Sequence, residues 1–260
     1  MEFRTKVKVD VETLRAVVTK YRDDFAVTKS GSNKSRLANS KAFLEKVDGF
    51  EPTRTFVVSS KATGNTLRLY NTPSVTSLPK DVRKAIVPVT DGNWFLFFDV
   101  KSAEYMYYAF KAGASDIIAR YKNGGDVYQV SSKLLKSIPR PQLKTVMIAS
   151  LYGSTPFSAS KVLGCSEDHA ERVLEEVYHT HPMISDHMDW IVSEAFKSGK
   201  YFYEKGMFSK EREYLTPDSQ KYGTQVVRSG ALSAYGQSGF AFVMNSALQT
   251  LNRPEGVTTL

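Results

Sequence analysis

The sequence predicts an α+β fold, and three observations carry that expectation. Strand signals are concentrated before residue 100, helix signals dominate from residue 102 onward, and no internal repeat or low-complexity tract interrupts the chain. The chain has 260 residues, 42% apolar and 24% charged, enough to bury a core without staples.

Residues 1–50 read as a basic helical segment. Asp10 is a helix cap, and Leu14, Val17, Val18 and Tyr21 follow on one face. Lys29 to Arg36 is polar, basic and poor in apolar side chains, so it reads as a mobile loop. Such a loop either approaches a phosphate backbone with Lys34 and Arg36 or is a plain linker. Thr55–Val58 and Thr66–Tyr70 form the arms of a hairpin around Thr63, Gly64 and Asn65. A second turn at Asp91, Gly92 and Asn93 releases Trp94 to Phe98, an apolar run suited to a buried strand that ends at Asp99.

Beyond that strand, Ser166 caps a helix that carries Glu167 and Asp168 in its first turn and runs to about Thr180. A second helix starts near Pro182 and continues to about Lys197, with Gly199 as its stop signal. Tyr201 to Tyr214 reads as another hairpin, turning at Lys205 and Gly206. Gly230, Gly236 and Gly239 space a stretch that leads into an apolar helix near Phe240–Leu251. Asp186 to Asp189 has helical context and reads as surface.

Composition narrows the setting. No apolar run approaches the roughly 20 residues that span a bilayer, and the N-terminus lacks the apolar stretch of a signal peptide, so no membrane association is expected. The single Cys165 excludes a disulfide framework and a Cys-rich zinc site, consistent with a reducing, cytoplasmic setting. Residues 1–95 hold 17 basic and 10 acidic side chains, against 18 and 17 in the remainder. That asymmetry fits a polyanionic partner for the first third, or equally a solvated basic surface.

Two constellations point to chemistry. Asp99 closes an apolar strand, where an unpaired carboxylate is costly. It either binds a hard divalent cation, which takes oxygen ligands, or serves as a helix cap or turn former. Arg140, Lys144, Ile148 and Tyr152 recur every four residues and share one helical stripe, with Pro141 in the tolerated first turn and Gly153 directly after. Two cations followed by an apolar and an aromatic side chain can hold a nucleotide, phosphates on the cations and base on the rest. The same pattern also describes a basic amphipathic helix packed on a core.

In combination these elements resemble DNA polymerase family A. Phe98 to Tyr105, with Asp99 followed five residues later by Glu104, is similar to motif A. Gly125 to Tyr128 resembles the short Asp-hydrophobic-His/Tyr element that follows it. Arg140, Lys144, Ile148, Tyr152 and Gly153 resemble motif B, the fingers helix. Ala62 to Arg68 stands where the family has its Thr-Gly-Arg primer–template segment, and Tyr235 to Gly239 resembles its Gln-Gly helix. The order and spacing agree over about residues 55–251.

There are departures. Ile148 stands where an aromatic is usual, Tyr128 where a histidine is usual, and no motif C follows the Gln-Gly helix. After Gln237 the only acidic residue is Glu255.

The resemblance implies a right-hand polymerase: a small thumb-like helical part at 1–50, palm at 51–120, fingers at 121–228 and a palm-associated helix at 229–260, with the palm incomplete at its C-terminal side. It implies DNA-directed nucleotidyl transfer from dNTPs to a primer. Asp99 and the Val100 carbonyl would hold Mg²⁺, and Arg140 and Lys144 the triphosphate, with Asp99 and Lys144 as the catalytic pair. Ile148 and Tyr152 would sit near the base, and Glu104 beneath the sugar, where it excludes a 2′-hydroxyl. Lys34, Arg36, Arg68, Gly153 and Gln237 would meet primer–template DNA. The missing motif C implies a second polypeptide that supplies the other carboxylate, as in a split phage-type polymerase acting in the host cytoplasm, or else a piece of a longer chain. A fragment of a single-subunit phage-type RNA polymerase and an inactive nucleic-acid-binding relative are the alternatives.

Overall fold

The computed structural model describes residues 2–49, 55–62, 68–75, 78–95, 100–198, 200–201, 212–213 and 224–250. It divides into two compact units, one of residues 1–64, 68–99 and 251–260, the other of residues 65–67 and 100–250.

The first unit is a four-stranded antiparallel sheet with helices. Its strands are β1 (Glu2–Val9), β2 (Thr55–Ala62), β3 (Leu69–Thr72) and β4 (Ile86–Pro88), in the order β3-β2-β1-β4. Residues 2–9 are therefore a strand and not part of a helical segment. Lys6, Val7, Lys8 and Val9 alternate exposed and buried, the period of two that a half-buried strand requires. β1 pairs with β2 from Glu2 opposite Lys61 to Lys8 opposite Thr55, and with β4 from Val7 opposite Pro88 to Val9 opposite Ile86. β2 and β3 pair antiparallel, Ser59 opposite Thr72 to Ala62 opposite Leu69, so the hairpin's first arm is Ser59–Ala62; the expected arm Thr55–Val58 pairs with β1 instead, and the turn at Thr63, Gly64 and Asn65 lies outside the described residues.

Helix α1 (Val11–Thr28) begins as read: the Asp10 carboxylate accepts from the Glu12 and Thr13 N–H groups at 3.1 Å each, and Leu14 and Tyr21 are buried. The expected loop at Lys29–Arg36 is instead a two-residue break followed by α2 (Gly31–Asp48). Lys29 adopts the left-handed conformation that ends α1, and Ser30 Oγ accepts the Asn33 N–H at 3.2 Å to start α2. Polar composition suggested a loop, but Ser30 is a cap and the polar residues after it are the outer face of a helix buried through Ser40, Phe43 and Val47. Helix α3 (Lys80–Arg83) is a single turn that buries Val82. The Asp91–Asn93 turn forms, with Gly92 at φ 84° and the Asn93 N–H on the Thr90 carbonyl. Trp94 after it is 91% exposed and lies in no strand, contrary to the expected buried run. Apolar character alone does not bury a ring that directly follows a surface turn. Leu96 to Asp99, including the carboxylate expected to bind a metal, lie outside the described residues.

The second unit is mostly helical: α4 (Ala103–Ala112), α5 (Ser115–Lys122), α6 (Lys133–Lys136), α7 (Arg140–Ser150), α8 (Pro156–Leu163), α9 (Glu167–Thr180), α10 (Pro182–Ser198) and α11 (Thr224–Thr250). β5 (Lys200–Tyr201) and β6 (Arg212–Glu213) pair antiparallel, as the hairpin reading expected, while its turn at Lys205 and Gly206 lies outside the described residues. α9 starts where read, with Ser166 Oγ accepting the His169 N–H, and ends before Pro182 opens α10.

α4 is nearly all core: Tyr105, Met106, Tyr107, Tyr108 and Ala109 are each at most 8% exposed. α10 and α11 both pack against it. The glycine-spaced stretch is not a lead-in to a helix at 240 but the interior of α11 itself. A β-carbon on Gly236 would come within 2.7 Å of the Tyr108 ring, and one on Gly239 or Gly230 would overlap the hydroxyls of Tyr107 and Tyr201. The glycines lower intrinsic helix propensity by about 1 kcal/mol each, and the tyrosine packing outweighs that loss. Tyr108 also donates its hydroxyl to the Leu232 carbonyl at 2.8 Å. Gly236→Ala is therefore expected to destabilise the fold by about 1–2 kcal/mol, because overpacking against a fully buried ring exceeds the helix-propensity gain. A denaturant midpoint equal to or above that of the parent would contradict this packing.

The Asp186–Asp189 segment is only partly surface. Met188 is core, Asp189 pairs with Arg228 at 2.9 Å, and His187 Nε2 lies 3.2 Å from Tyr235 Oη. His181, which follows α9, is 9% exposed and meets the Tyr105 ring edge-on. Burial lowers its pKa, Asp116 pulls it upward and Arg120 pushes it down. The unfolded chain then binds a proton that the folded chain refuses, so stability is full above about pH 6.5 and is lost as the pH falls below that value. Urea midpoints measured from pH 7 to pH 5 should fall more steeply for the parent than for His181→Gln, and parallel slopes would remove His181 as the cause.

Candidate nucleotide-binding site

Pro141 sits in the first turn of α7, where its missing N–H costs nothing, and Leu143, Val146 and Met147 anchor the helix in the core. The opposite side carries Arg140 and Lys144, both exposed, then Ile148, half-buried against the core. Tyr152 lies just past the end of α7, and Gly153 follows at φ 71°, a backbone conformation that suits glycine.

The cations are not loose on the surface. Arg140 donates from Nε to Asp126 Oδ2 and from Nη2 to Asp126 Oδ1, both at 2.6 Å. Its guanidinium carbon lies 4.8 Å from the centre of the Tyr128 ring, and Lys144 Nζ lies 5.7 Å from the same centre. Asp126 Oδ1 also accepts the Tyr128 N–H at 3.1 Å. The hydrogen bond from Arg140 holds the Asp126 carboxyl below the usual carboxylate range, with smaller help from the Tyr128 N–H and Lys101. Tyr128 is 2% exposed, and burial pushes its phenol up, so the ring stays neutral beneath two cations. Two positive charges one turn apart repel each other, and the carboxylate and the electron-rich ring face offset that repulsion.

Glu104 occupies the first turn of α4 and is half-buried. Burial drives the Tyr108 phenol far up, and Tyr152, Tyr235 and Glu104 act on it in the same sense. The Tyr235 ring lies 6.1 Å from that of Tyr108, centre to centre. Val100 is half-buried in the irregular segment before α4. Gln237, on α11, donates to Ser233 Oγ at 3.0 Å. Arg68, Lys34 and Arg36 are exposed and belong to the first unit, whereas Arg140, Lys144, Ile148, Tyr152, Gly153, Glu104 and Gln237 belong to the second.

Sequence reasoning gave Asp126 and Tyr128 no role in the site. The signal was present only as the short element around them. Its partnership with Arg140 spans fourteen residues and depends on the turn at Gly124, φ 73°, which periodicity does not reveal.

Among the described residues no three His, Cys, Asp or Glu side chains cluster as a metal site, and Asp126 is committed to Arg140. No helix among them is long and apolar enough to cross a membrane. What the second unit presents is a pair of cations over an aromatic floor, a surface suited to a polyphosphate attached to a flat or apolar group.

Comparison with known proteins identifies the family. Residues 53–250 match the family model described as DNA polymerase family A, and the chain belongs to that family. It is 23% identical over 163 residues to the DNA polymerase I of Chloroflexus aurantiacus, covering 59% of this chain and 17% of that protein. It is 25% identical over 140 residues to the DNA polymerase I of Geobacillus stearothermophilus, covering 50% of this chain and 16% of that protein. The chain thus aligns with about a sixth of the length of these relatives. Its fold is similar to a solved structure of the POL domain of Pol1 from M. smegmatis in complex with DNA primer-template and dNTP. The TM-score is 0.69 at 15% identity, covering 93% of this chain and 56% of that one.

Proposed function

We propose that this chain is the nucleotide-binding part of a template-directed DNA polymerase, which transfers a nucleotidyl group from a dNTP to a primer 3′-end. The observation that carries the reading is the pair Arg140 and Lys144, one turn apart over the Tyr128 ring, with the Arg140 fork fixed by Asp126. Phosphoryl transfer asks little of the protein beyond position and charge neutralisation, which this arrangement supplies. Lys144 and Arg140 hold the triphosphate, Tyr152 and Ile148 face the nascent pair, and Glu104 lies beneath the sugar. In right-hand terms, residues 51–120 and 229–260 are palm, 121–228 fingers and 1–50 thumb-like.

The Asp99 carboxylate and the Val100 carbonyl would hold Mg²⁺, since a hard cation takes oxygen donors of this kind. Bound there, Mg²⁺ would supply charge neutralisation for phosphoryl transfer. No acidic residue but Glu255 follows Gln237, so the second metal-binding carboxylate comes from polypeptide outside these 260 residues. The cations of the first unit, Lys34, Arg36 and Arg68, and the α11 residue Gln237 contact the primer–template, together with the Gly153 backbone.

The test is primer extension with dNTPs and Mg²⁺, by this chain with and without the product of the neighbouring gene, beside a duplex-binding titration. Extension only in the combined reaction is expected, with duplex affinity falling steeply as salt rises. Duplex affinity indifferent to salt, together with no extension in any combination, would reject the polymerase reading.

A further inference from the structure

We propose that Asp126 is a positioning residue: it fixes the Arg140 guanidinium so that the edge left open receives the phosphates of the nucleotide. The proposal rests on the phosphate-binding reading of Arg140 given above.

A guanidinium has five N–H groups in one plane. The Asp126 carboxylate takes two of them, on Nε and Nη2, both at 2.6 Å. These lie on the side edge of the fork. The end edge, formed by Nη1 and the second Nη2 hydrogen, keeps the geometry for another bidentate anion. The plane is fixed separately, because Tyr128 lies beneath it at 4.8 Å and is itself buried. The carboxylate is anchored in turn, since Oδ1 also accepts the Tyr128 backbone N–H. One turn, Asp126 to Tyr128, thus sets both the edge and the plane of the guanidinium.

The pair is not explained by stability. The two side chains are 45% and 42% exposed, and ion pairs with such exposure contribute little to folding. What the pairing provides is order in a long, rotamer-rich side chain before the ligand arrives, which removes that cost from binding. A carboxylate beside a phosphate site also repels the ligand. Here its charge is matched by Arg140 and further offset by Lys101, whose Nζ lies 3.5 Å from the Gly125 carbonyl. Positioning therefore outweighs repulsion.

The experiment is a calorimetric titration of inorganic tripolyphosphate into the full chain at fixed ionic strength. The parent is compared with Asp126→Asn, Arg140→Ala and the double variant. Asparagine cannot accept from both fork nitrogens, so Asp126→Asn should weaken binding by about five- to tenfold in the parent background. It should change binding less than about twofold in the Arg140→Ala background, because the effect runs through Arg140. The Arg140 Nε–H resonance is expected to exchange faster in Asp126→Asn than in the parent, which reports release of the fork, while the loss confined to the background that retains Arg140 is what a purely structural role would not give. Unchanged or tighter binding by Asp126→Asn, or an equal loss in both backgrounds, overturns the proposal while the phosphate reading stands. If Arg140→Ala binds tripolyphosphate as the parent does, the phosphate reading itself fails and the positioning role falls with it.

Discussion

Lys144→Ala is expected to lower nucleotide incorporation by two to three orders of magnitude in the active, complemented enzyme. The side chain is exposed on α7, with Nζ 5.7 Å from the centre of the Tyr128 ring and one helical turn beyond Arg140. Removing it takes a full positive charge from the surface that would face the triphosphate. Loss of one well-placed group that stabilises developing charge costs roughly 10²–10³ in rate. The fold should be indifferent, because substitutions at exposed positions that anchor no core usually fall within about 0.5 kcal/mol. Lys144→Arg should recover only part of the rate, since a planar fork is a poor replacement for a compact ammonium. Single-turnover incorporation at saturating dNTP measures this, and a Lys144→Ala enzyme within threefold of the parent would exclude Lys144 from the chemistry.

Glu104→Ala is expected to raise ribonucleotide incorporation by about ten- to a hundredfold while leaving the chain folded. Glu104 is half-buried in the first turn of α4, in the electrostatic neighbourhood of Tyr108 and Tyr128. On the proposed reading, a carboxylate beneath the sugar would leave no room for an added 2′-hydroxyl and would make no useful bond with it. The steric penalty involved, about 1.4 kcal/mol per tenfold, is modest for such a contact. Glu104→Gln keeps the shape and should keep most of the discrimination, which separates crowding from charge. Deoxynucleotide incorporation should fall as well, since Glu104 and Tyr152 both act on Tyr108. A parent enzyme that already prefers ribonucleotides would shift the assignment to a single-subunit RNA polymerase.

The parts of this structure that were legible in the sequence are those set by local rules. Ser166 and Pro182 bracket α9 because a cap and a helix breaker act within one turn of themselves. The Arg140–Lys144 stripe was readable because α7 repeats with the helical period. Features decided by distant partners were not. β1 alternates for only a few residues beside a helix signal, and its identity depends on pairing with β2, some fifty residues away. The Lys29–Arg36 segment has loop composition, yet it continues as α2 because Phe43 and Val47 further along are buried. The glycines of α11 look like breakers until Tyr107, Tyr108 and Tyr201 are set against them. In the site, the stripe of cations was visible, but the carboxylate and ring that orient them were not.

Tyr128 has one more implication. A histidine in its place would change charge close to neutrality, and the floor of the site would become a third cation in mild acid. Burial instead keeps the Tyr128 phenol protonated well into the alkaline range, while the guanidinium above it never loses its proton. Around neutrality, then, this corner of the molecule has a fixed charge state. Acidification therefore acts on folding, at positions such as His181, and leaves the charge of this corner as it was.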